Sequence, residues 1–173
     1  MKLTIVEYPD KRLRLKSKDV TLFDKKLHNL LDSMYPIMID TNGIGLAAIQ
    51  VAYPIKALVL NIPDEEGEQP KENLLEIINP TVTNKNGETI YQEGCLSVPK
   101  FYEDIKRFET LTLNYQDRDG NTQTLEADGL LSIAIQHEMD HLDGVLFIDK
   151  LSYGRRKKFE KEYKRMLKEQ KSS

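Results

Sequence analysis

Two histidines four residues apart, His137 and His141, are the strongest chemical signal in the sequence. They fall within residues 129–142, a run that is apolar on nearly every side and therefore predicts a buried central helix. Side chains four apart on a helix share one face, so both imidazoles can reach one metal ion, and Glu138 beside them can reach a metal-bound water. The alternative is a pair of hydrogen-bonded histidines near a surface.

A metal ion needs a third ligand, and several positions must be considered. An extended metalloprotease pattern would place that ligand at Phe147, which cannot coordinate a metal. For His28, on the predicted first helix, we expect a surface or capping role. Cys95 could supply a thiolate for zinc or ferrous iron, and two histidines with one cysteine leave a fourth position open. A lone cysteine is more often a small buried apolar residue, so the residues alone leave its role open.

Helices at both ends of the chain, with strands between them, predict an α+β fold with antiparallel sheets. The hairpin signals argue against repeated βαβ units. The predicted elements are a helix over 23–40 capped by Asp24 and kinked or ended early at Pro36, a buried strand over 55–62, a polar loop over 63–73, a hairpin at Asn86-Gly87, a strand over 110–115, a turn at Asp119-Gly120, a short strand over 145–149 and a helix in the tail.

The composition narrows the class of protein. A chain of 173 residues with 39% apolar and 31% charged residues fits one globular domain. One cysteine excludes a disulfide-stapled secreted scaffold, and neither a signal peptide nor a membrane-spanning run is visible. We therefore expect a cytoplasmic protein. Residues 150–173 carry a net charge of +7 and residues 1–149 one of −10, which indicates an anionic partner or a solvated lysine-rich helix.

Three segments together resemble the signature motifs of the peptide deformylase family. They are residues 43–50 (GIGLAAIQ), 93–97 (EGCLS) and 136–141 (QHEMDH), in the family's order and at its approximate spacing. The resemblance runs from Tyr8-Pro9 into the tail. It implies an enzyme that removes the formyl group from the N-terminal formyl-methionine of new polypeptides and releases formate. It also implies antiparallel sheets around the metal-bearing helix, with residues 1–150 as the catalytic part and 151–173 as a basic C-terminal helix of the same domain.

The resemblance assigns roles to individual residues. The positions that match the family's metal ligands are Cys95, His137 and His141. Glu138 matches the catalytic acid/base, while the Gln50 side chain and the Leu96 N–H match the groups that stabilise the oxyanion. One divalent ion is implied. Ferrous iron is the metal usually associated with the family, and zinc, nickel or cobalt could occupy the site in purified protein.

Substrate binding is implied at a further set of positions. Ile44 and Gly45 suit pairing with the peptide backbone as an added strand, and Gly94 allows close backbone approach to a ligand. By family position the methionine pocket is lined by Tyr91, Glu93, Leu130, Ile133, Ala134 and His137, for whose apolar members ordinary core packing is the alternative. Tyr102 stands where many relatives carry an arginine, so the preference for residues after methionine is not implied.

The tail and the remaining alternatives complete the sequence-based predictions. One branch of the family carries a long C-terminal helix thought to dock on the ribosome, and residues 153–171, with nine Lys and Arg, resemble it. The alternative is an apolar stripe that anchors this helix to the body: Phe159, Tyr163, Met166 and Leu167. Neither a membrane nor DNA is expected as a partner. A metallopeptidase that cuts internal bonds, and a binding module with structural zinc and an RNA-binding tail, are the alternative functions.

Overall fold

A five-stranded antiparallel sheet forms the centre of the molecule, with a helix on each face. The computed structural model describes residues 1–172, so Ser173, the last residue of the predicted tail, lies outside the described part. Across the sheet the strands run in the order β1 (Gly45–Ala47), β2 (Ala57–Leu60), β3 (Leu75–Asn86), β6 (Thr110–Gln116) and β7 (Thr122–Asp128). A separate hairpin pairs β4 (Thr89–Cys95) with β5 (Val98–Arg107).

The helices cover the sheet because its central strands are apolar on both sides. In β2, Ala57 and Val59 pack with helix α1 (Lys25–Asp40), whereas Leu58 and Leu60 pack with helix α2 (Gly129–Leu142). Helix α3 (Tyr153–Ser172) follows at the C-terminus. The predicted α+β class is confirmed, and α2 has the bounds that its apolar run predicted. No helix among residues 1–172 combines the length and apolarity needed to cross a membrane.

Helix α1 passes through Pro36 without a break. The side chain of Asp24 accepts a hydrogen bond from the backbone N–H of Leu27 at 3.1 Å and so caps the first turn. The predicted early end at Pro36 is wrong, since the helix continues to Asp40. Pro36 has no backbone N–H, so the helix lacks one of its backbone hydrogen bonds. The burial of five apolar side chains along one face of the helix offsets this loss, and two of them, Met34 and Met38, flank the proline.

Two strand predictions are also wrong. Asn86-Gly87 does not close a hairpin, because β3 pairs with β2 and β6 while β4 pairs with β5 in another sheet. Gly87 at φ 70° permits the turn but does not choose the pairing. Residues 145–149 contain no strand, and Phe147–Lys150 form a short 3₁₀ helix that buries Phe147 and Ile148. A short apolar run has no periodicity that separates these two conformations.

The C-terminal helix is attached to the body by its apolar stripe. Phe159 is buried, and its ring centroid lies 4.9 Å from that of Phe101 on β5. The Tyr163 hydroxyl donates a hydrogen bond of 2.6 Å to the carbonyl of Tyr8. Phe159 and Tyr163 of the predicted stripe therefore anchor α3 to the β4–β5 hairpin and the N-terminal segment, whereas Met166 and Leu167 are half-buried.

Candidate metal centre and active site

Three potential metal ligands converge where α2 faces the end of β4. The ligand atoms of Cys95, His137 and His141 all lie within 4.8 Å of one another. The Cys95 Sγ is 3.4 Å from His141 Nε2. The i, i+4 spacing of the histidines places both rings on one side of α2, and the β4–β5 hairpin brings the thiol against them. This sulfur and nitrogen donor set suits a single divalent transition metal.

A buried ion network fixes the orientation of His137. The Glu93 Oε1 lies 2.9 Å from His137 Nδ1, so that nitrogen donates a hydrogen bond and Nε2 is the ring nitrogen available to a metal. Arg107 Nε and Nη2 donate to the two Glu93 oxygens at 2.7 and 2.8 Å, and Nη1 donates to Asp140 at 2.7 Å. Although burial raises the pKa of Glu93, the hydrogen bonds from Arg107 and His137 outweigh it and lower the pKa.

The titration of the two rings also fits a metal site. Burial lowers the pKa of His141 well below its ordinary value, which keeps that ring in the neutral form that binds metals. Burial also acts to lower the pKa of His137, but its contacts with Cys95 and Glu93 outweigh burial and raise the pKa well above its ordinary value. A cation bound there therefore takes the place of a proton.

Glu138 points its carboxylate at the same space. Its Oε1 lies 3.8 Å from His137 Nε2 and 3.9 Å from His141 Nε2, too far for a strong hydrogen bond to either ring. Burial raises the pKa of this carboxyl group to about 7. Its Oε2 is buried without a hydrogen-bond partner among residues 1–172. A buried carboxylate oxygen requires a partner, and a water beside a bound cation would supply one, so these residues fit the metal.

The Gln50 side chain reaches the site from the other side. It lies in a short 3₁₀ helix, Ala48–Val51, directly after β1. Its Oε1 accepts a hydrogen bond from Ala47 N at 2.9 Å, and its Nε2 donates to Ser97 Oγ at 3.0 Å and approaches the Cys95 sulfur at 3.5 Å. The amide NH₂ is therefore held facing the metal ligands. Leu96 lies with Ser97 in the turn between β4 and β5.

A cavity of about 970 Å³ opens onto this site, and every substrate-binding residue implied by the resemblance lines it. These residues are Ile44, Gly45, Tyr91, Glu93, Gly94, Leu130, Ile133 and Ala134. Tyr102 also lines the cavity, exposed at its rim. Glu93 differs from the others because its carboxylate is engaged by Arg107 and His137. The position of Glu93 in the EGCLS motif did not reveal that its carboxylate binds Arg107 and His137.

Sequence reasoning missed three residues of the site. Arg107 and Asp140 belong to the buried network, and Ser97 holds the Gln50 amide. Ser97 and Asp140 lie inside the matched motifs, so their positions were a usable signal, whereas nothing near Arg107 in the sequence marks it. Neither His28 nor Phe147 belongs to the group of converging ligands in residues 1–172. His28 bonds the carbonyl of Arg118 at 2.8 Å, and Phe147 is buried with its ring 6.2 Å from that of His137.

Comparison with known proteins gives a consistent result. Residues 2–157 match the family model described as polypeptide deformylase. The chain is 58% identical over 163 residues to a peptide deformylase of Wolinella succinogenes, covering 94% of this chain and 96% of that protein. It is 56% identical over 169 residues to a peptide deformylase of Helicobacter pylori strain HPAG1, covering 98% and 97%.

Solved structures show the same fold. A crystal structure of a peptide deformylase from Legionella pneumophila superposes with a TM-score of 0.89 at 35% identity, covering 100% of this chain and 99% of that one. Peptide deformylase from Ehrlichia chaffeensis in complex with actinonin superposes with a TM-score of 0.86 at 37% identity, covering 95% and 96%. These similarities cover 95–100% of this chain and so include the elements that line the cavity.

Proposed function

The chain belongs to the polypeptide deformylase family, and from that premise we propose how its own residues hydrolyse the formyl amide of N-formyl-methionyl polypeptides. The reaction adds water across the C–N bond and yields formate and a free N-terminal amine. One observation carries the proposal: Cys95, His137 and His141 converge on one point, with Glu138 beside them and a large cavity in front. When bound there, a divalent cation lowers the pKa of a coordinated water.

Glu138 is the proposed proton carrier. The carboxylate takes a proton from the attacking water as the water oxygen bonds to the formyl carbon. It then gives that proton to the amine nitrogen as the C–N bond breaks, so the carboxylate is regenerated. A pKa of about 7 suits both directions of transfer near neutral pH. The unpartnered Oε2 supports this role, because no other described group occupies it.

Gln50 and Leu96 are the proposed donors to the formyl oxygen, which gains negative charge as the carbon becomes tetrahedral. The Gln50 amide is preorganised by Ala47 and Ser97, so it need not reorient during the reaction. Leu96 supplies its backbone N–H from the turn after β4. Ile44 and Gly45 on one side and Gly94 on the other are the proposed edges for the peptide backbone. The proposed methionine pocket is lined by Tyr91, Glu93, Leu130, Ile133, Ala134 and His137.

Replacing Gln50 with alanine should reduce kcat by about 10²–10³-fold, the usual effect of losing one oxyanion donor. The measurement is steady-state kinetics on formyl-Met-Ala at matched metal content. Ser97→Ala is the companion variant. It removes the partner of the amide but not the donor, so a smaller loss is expected. Turnover by Gln50→Ala within a factor of two of the parent would exclude the oxyanion role.

We propose ferrous iron, the metal usually associated with the family, as the physiological metal. Zinc, nickel or cobalt could replace it in purified protein. Because new polypeptides are made in the cytoplasm, we also propose a cytoplasmic location. The test of the function is release of formate from formyl-Met-Ala by an anaerobic, iron-loaded preparation. Acetyl-Ala-Met should not be cleaved. Cleavage of the acetylated peptide instead would indicate a metallopeptidase, and no cleavage of either would favour a structural metal.

The C-terminal helix is the proposed contact to the ribosome. We also propose that the chain is one domain, in which residues 1–150 are catalytic and residues 151–173 form the basic tail. Arg155 and Arg156 already pair with Glu103 and Asp149 of the body. Five exposed lysines of α3 follow one another at helical spacing: Lys158, Lys161, Lys164, Lys168 and Lys171. Because none of them packs into the core, they are free to contact RNA phosphates without loosening α3.

Changing Lys158, Lys161, Lys164 and Lys168 together to glutamate should abolish co-sedimentation with ribosomes at low salt while leaving deformylation of formyl-Met-Ala intact. Phosphate contacts release counterions, so parent binding should itself fall steeply as salt is raised. A matched variant changes four exposed lysines on the body, Lys2, Lys25, Lys26 and Lys85, and should still sediment. Equal sedimentation of the tail variant and the parent would reject the contact.

A further inference from the structure

The backbone of Gly43–Gly45 is wedged between two groups of the proposed mechanism. A Cβ added to Gly43 would lie 2.8 Å from Cδ1 of Leu96, and one added to Gly45 would lie 3.0 Å from Cγ and Cδ of Glu138. This segment therefore touches both the turn that carries an oxyanion donor and the proton carrier. It also lines the cavity as the proposed edge for the substrate backbone.

The side chain of Gln69, from the polar loop between β2 and β3, also binds this segment. Its Nε2 donates hydrogen bonds to the carbonyls of Gly43, at 3.1 Å, and Asn61, at 2.7 Å. The backbone N–H of Asn61 in turn donates to the carbonyl of Ile44 at 2.8 Å. The Gln69 amide thus links Asn61, which follows β2, to Gly43, which precedes the proposed substrate edge at Ile44 and Gly45.

Hydrogen bonds other than those of the Gln69 side chain hold both the tip and the base of the loop. The Asp64 side chain accepts backbone hydrogen bonds from Glu66 and Glu68, both at 2.9 Å, which closes the tip. The buried Asn61 amide donates to the carbonyls of Gln69 and Pro70, at 3.1 and 3.0 Å, which fixes the base. These bonds use the backbone of residue 69 only. Its side chain adds a further bond at the base, to the Asn61 carbonyl, and extends from there to Gly43.

We propose that Gln69 is a positioning residue that sets the Gly43–Gly45 edge for pairing with the substrate backbone beyond the formyl-methionine. The proposal rests on the proposed function. Because the edge contacts the peptide in the ground state and the transition state alike, a misplaced edge weakens binding uniformly and raises KM rather than lowering kcat. The effect must also grow with the length of peptide that can pair. A general loss of stability has neither property.

The test uses two metal-loaded variants and two substrates. Gln69→Glu keeps the shape of the side chain but places an acceptor against two carbonyl oxygens, and Gln69→Met removes the donors without adding charge. For formyl-Met-Ala-Ser we expect KM to rise by about tenfold in both variants, with kcat within a factor of two. For N-formylmethionine amide, which has no residue after methionine, KM should change by less than twofold.

Glu68→Gln is the control, since it changes the charge of an exposed neighbour and should leave both substrates unaffected. Equal rises in KM for the two substrates, a fall in kcat at constant KM, or an effect confined to Gln69→Glu would each overturn the proposal. If the parent protein releases no formate from either substrate, the proposed function has failed, and this inference fails with it. A parent that is active while the variants show no length-dependent KM refutes the inference alone.

Discussion

Replacing Glu138 with glutamine is expected to lower kcat by about 10²–10⁴-fold, the range for loss of a positioned general acid/base. The amide matches the carboxylate in size, so the packing of this buried side chain is preserved. What is lost is the ability to accept a proton from water and return it to the amine. The glutamate is not one of the three converging ligands, so the variant should still bind about one equivalent of metal.

The measurement is turnover of formyl-Met-Ala together with metal content by elemental analysis on the same sample. Cys95→Ser is the companion variant, because it weakens the metal site itself and should lose metal and activity together. The two variants thus separate proton transfer from metal binding. A Glu138→Gln protein that keeps more than a tenth of parental kcat, or that loses its metal, would contradict the assigned role.

Replacing Arg107 with methionine is expected to lower the free energy of unfolding by about 3–5 kcal/mol, the usual cost of leaving one member of a buried ion pair alone. The side chains of Arg107 and Glu93 are only 3% and 4% exposed. Without the guanidinium, the Glu93 carboxylate is left in a low-dielectric environment with His137 as its remaining partner. Orientation of that ring then weakens, and metal affinity should fall by about 10–100-fold.

The chain supplies a matched control in Arg118. Its Nε and Nη2 bind both oxygens of Glu76 at 2.8 and 2.7 Å, and Nη2 also reaches Asp32, so the pattern of contacts resembles that of Arg107. Arg118 is 30% exposed, however, and Arg118→Met should cost less than about 1 kcal/mol. Urea unfolding with chelator in every sample removes the contribution of metal binding. Equal losses in the two variants would show that burial does not set the energy of the Arg107 network.

The sequence alone determined the elements that depend only on interactions between residues one or a few helical turns apart. The apolar run 129–142 and the i, i+4 spacing of His137 and His141 depend only on helix geometry, and α2 has the predicted bounds. The Asp24 cap likewise acts within one turn. The motif order supplied the family, because three short segments at the right spacing are specific even when each alone is weak.

Tertiary structure decided every feature that depends on the partner of a strand or a charge. Nothing local distinguishes a β3–β4 hairpin at Gly87 from the observed pairing of β4 with β5, since a turn residue permits a reversal but the competing edges decide it. The same holds for Arg107, whose partners Glu93 and Asp140 are 14 and 33 residues away. Hydrogen bonds and ion pairs depend on distance in space, and only the packed chain sets that distance.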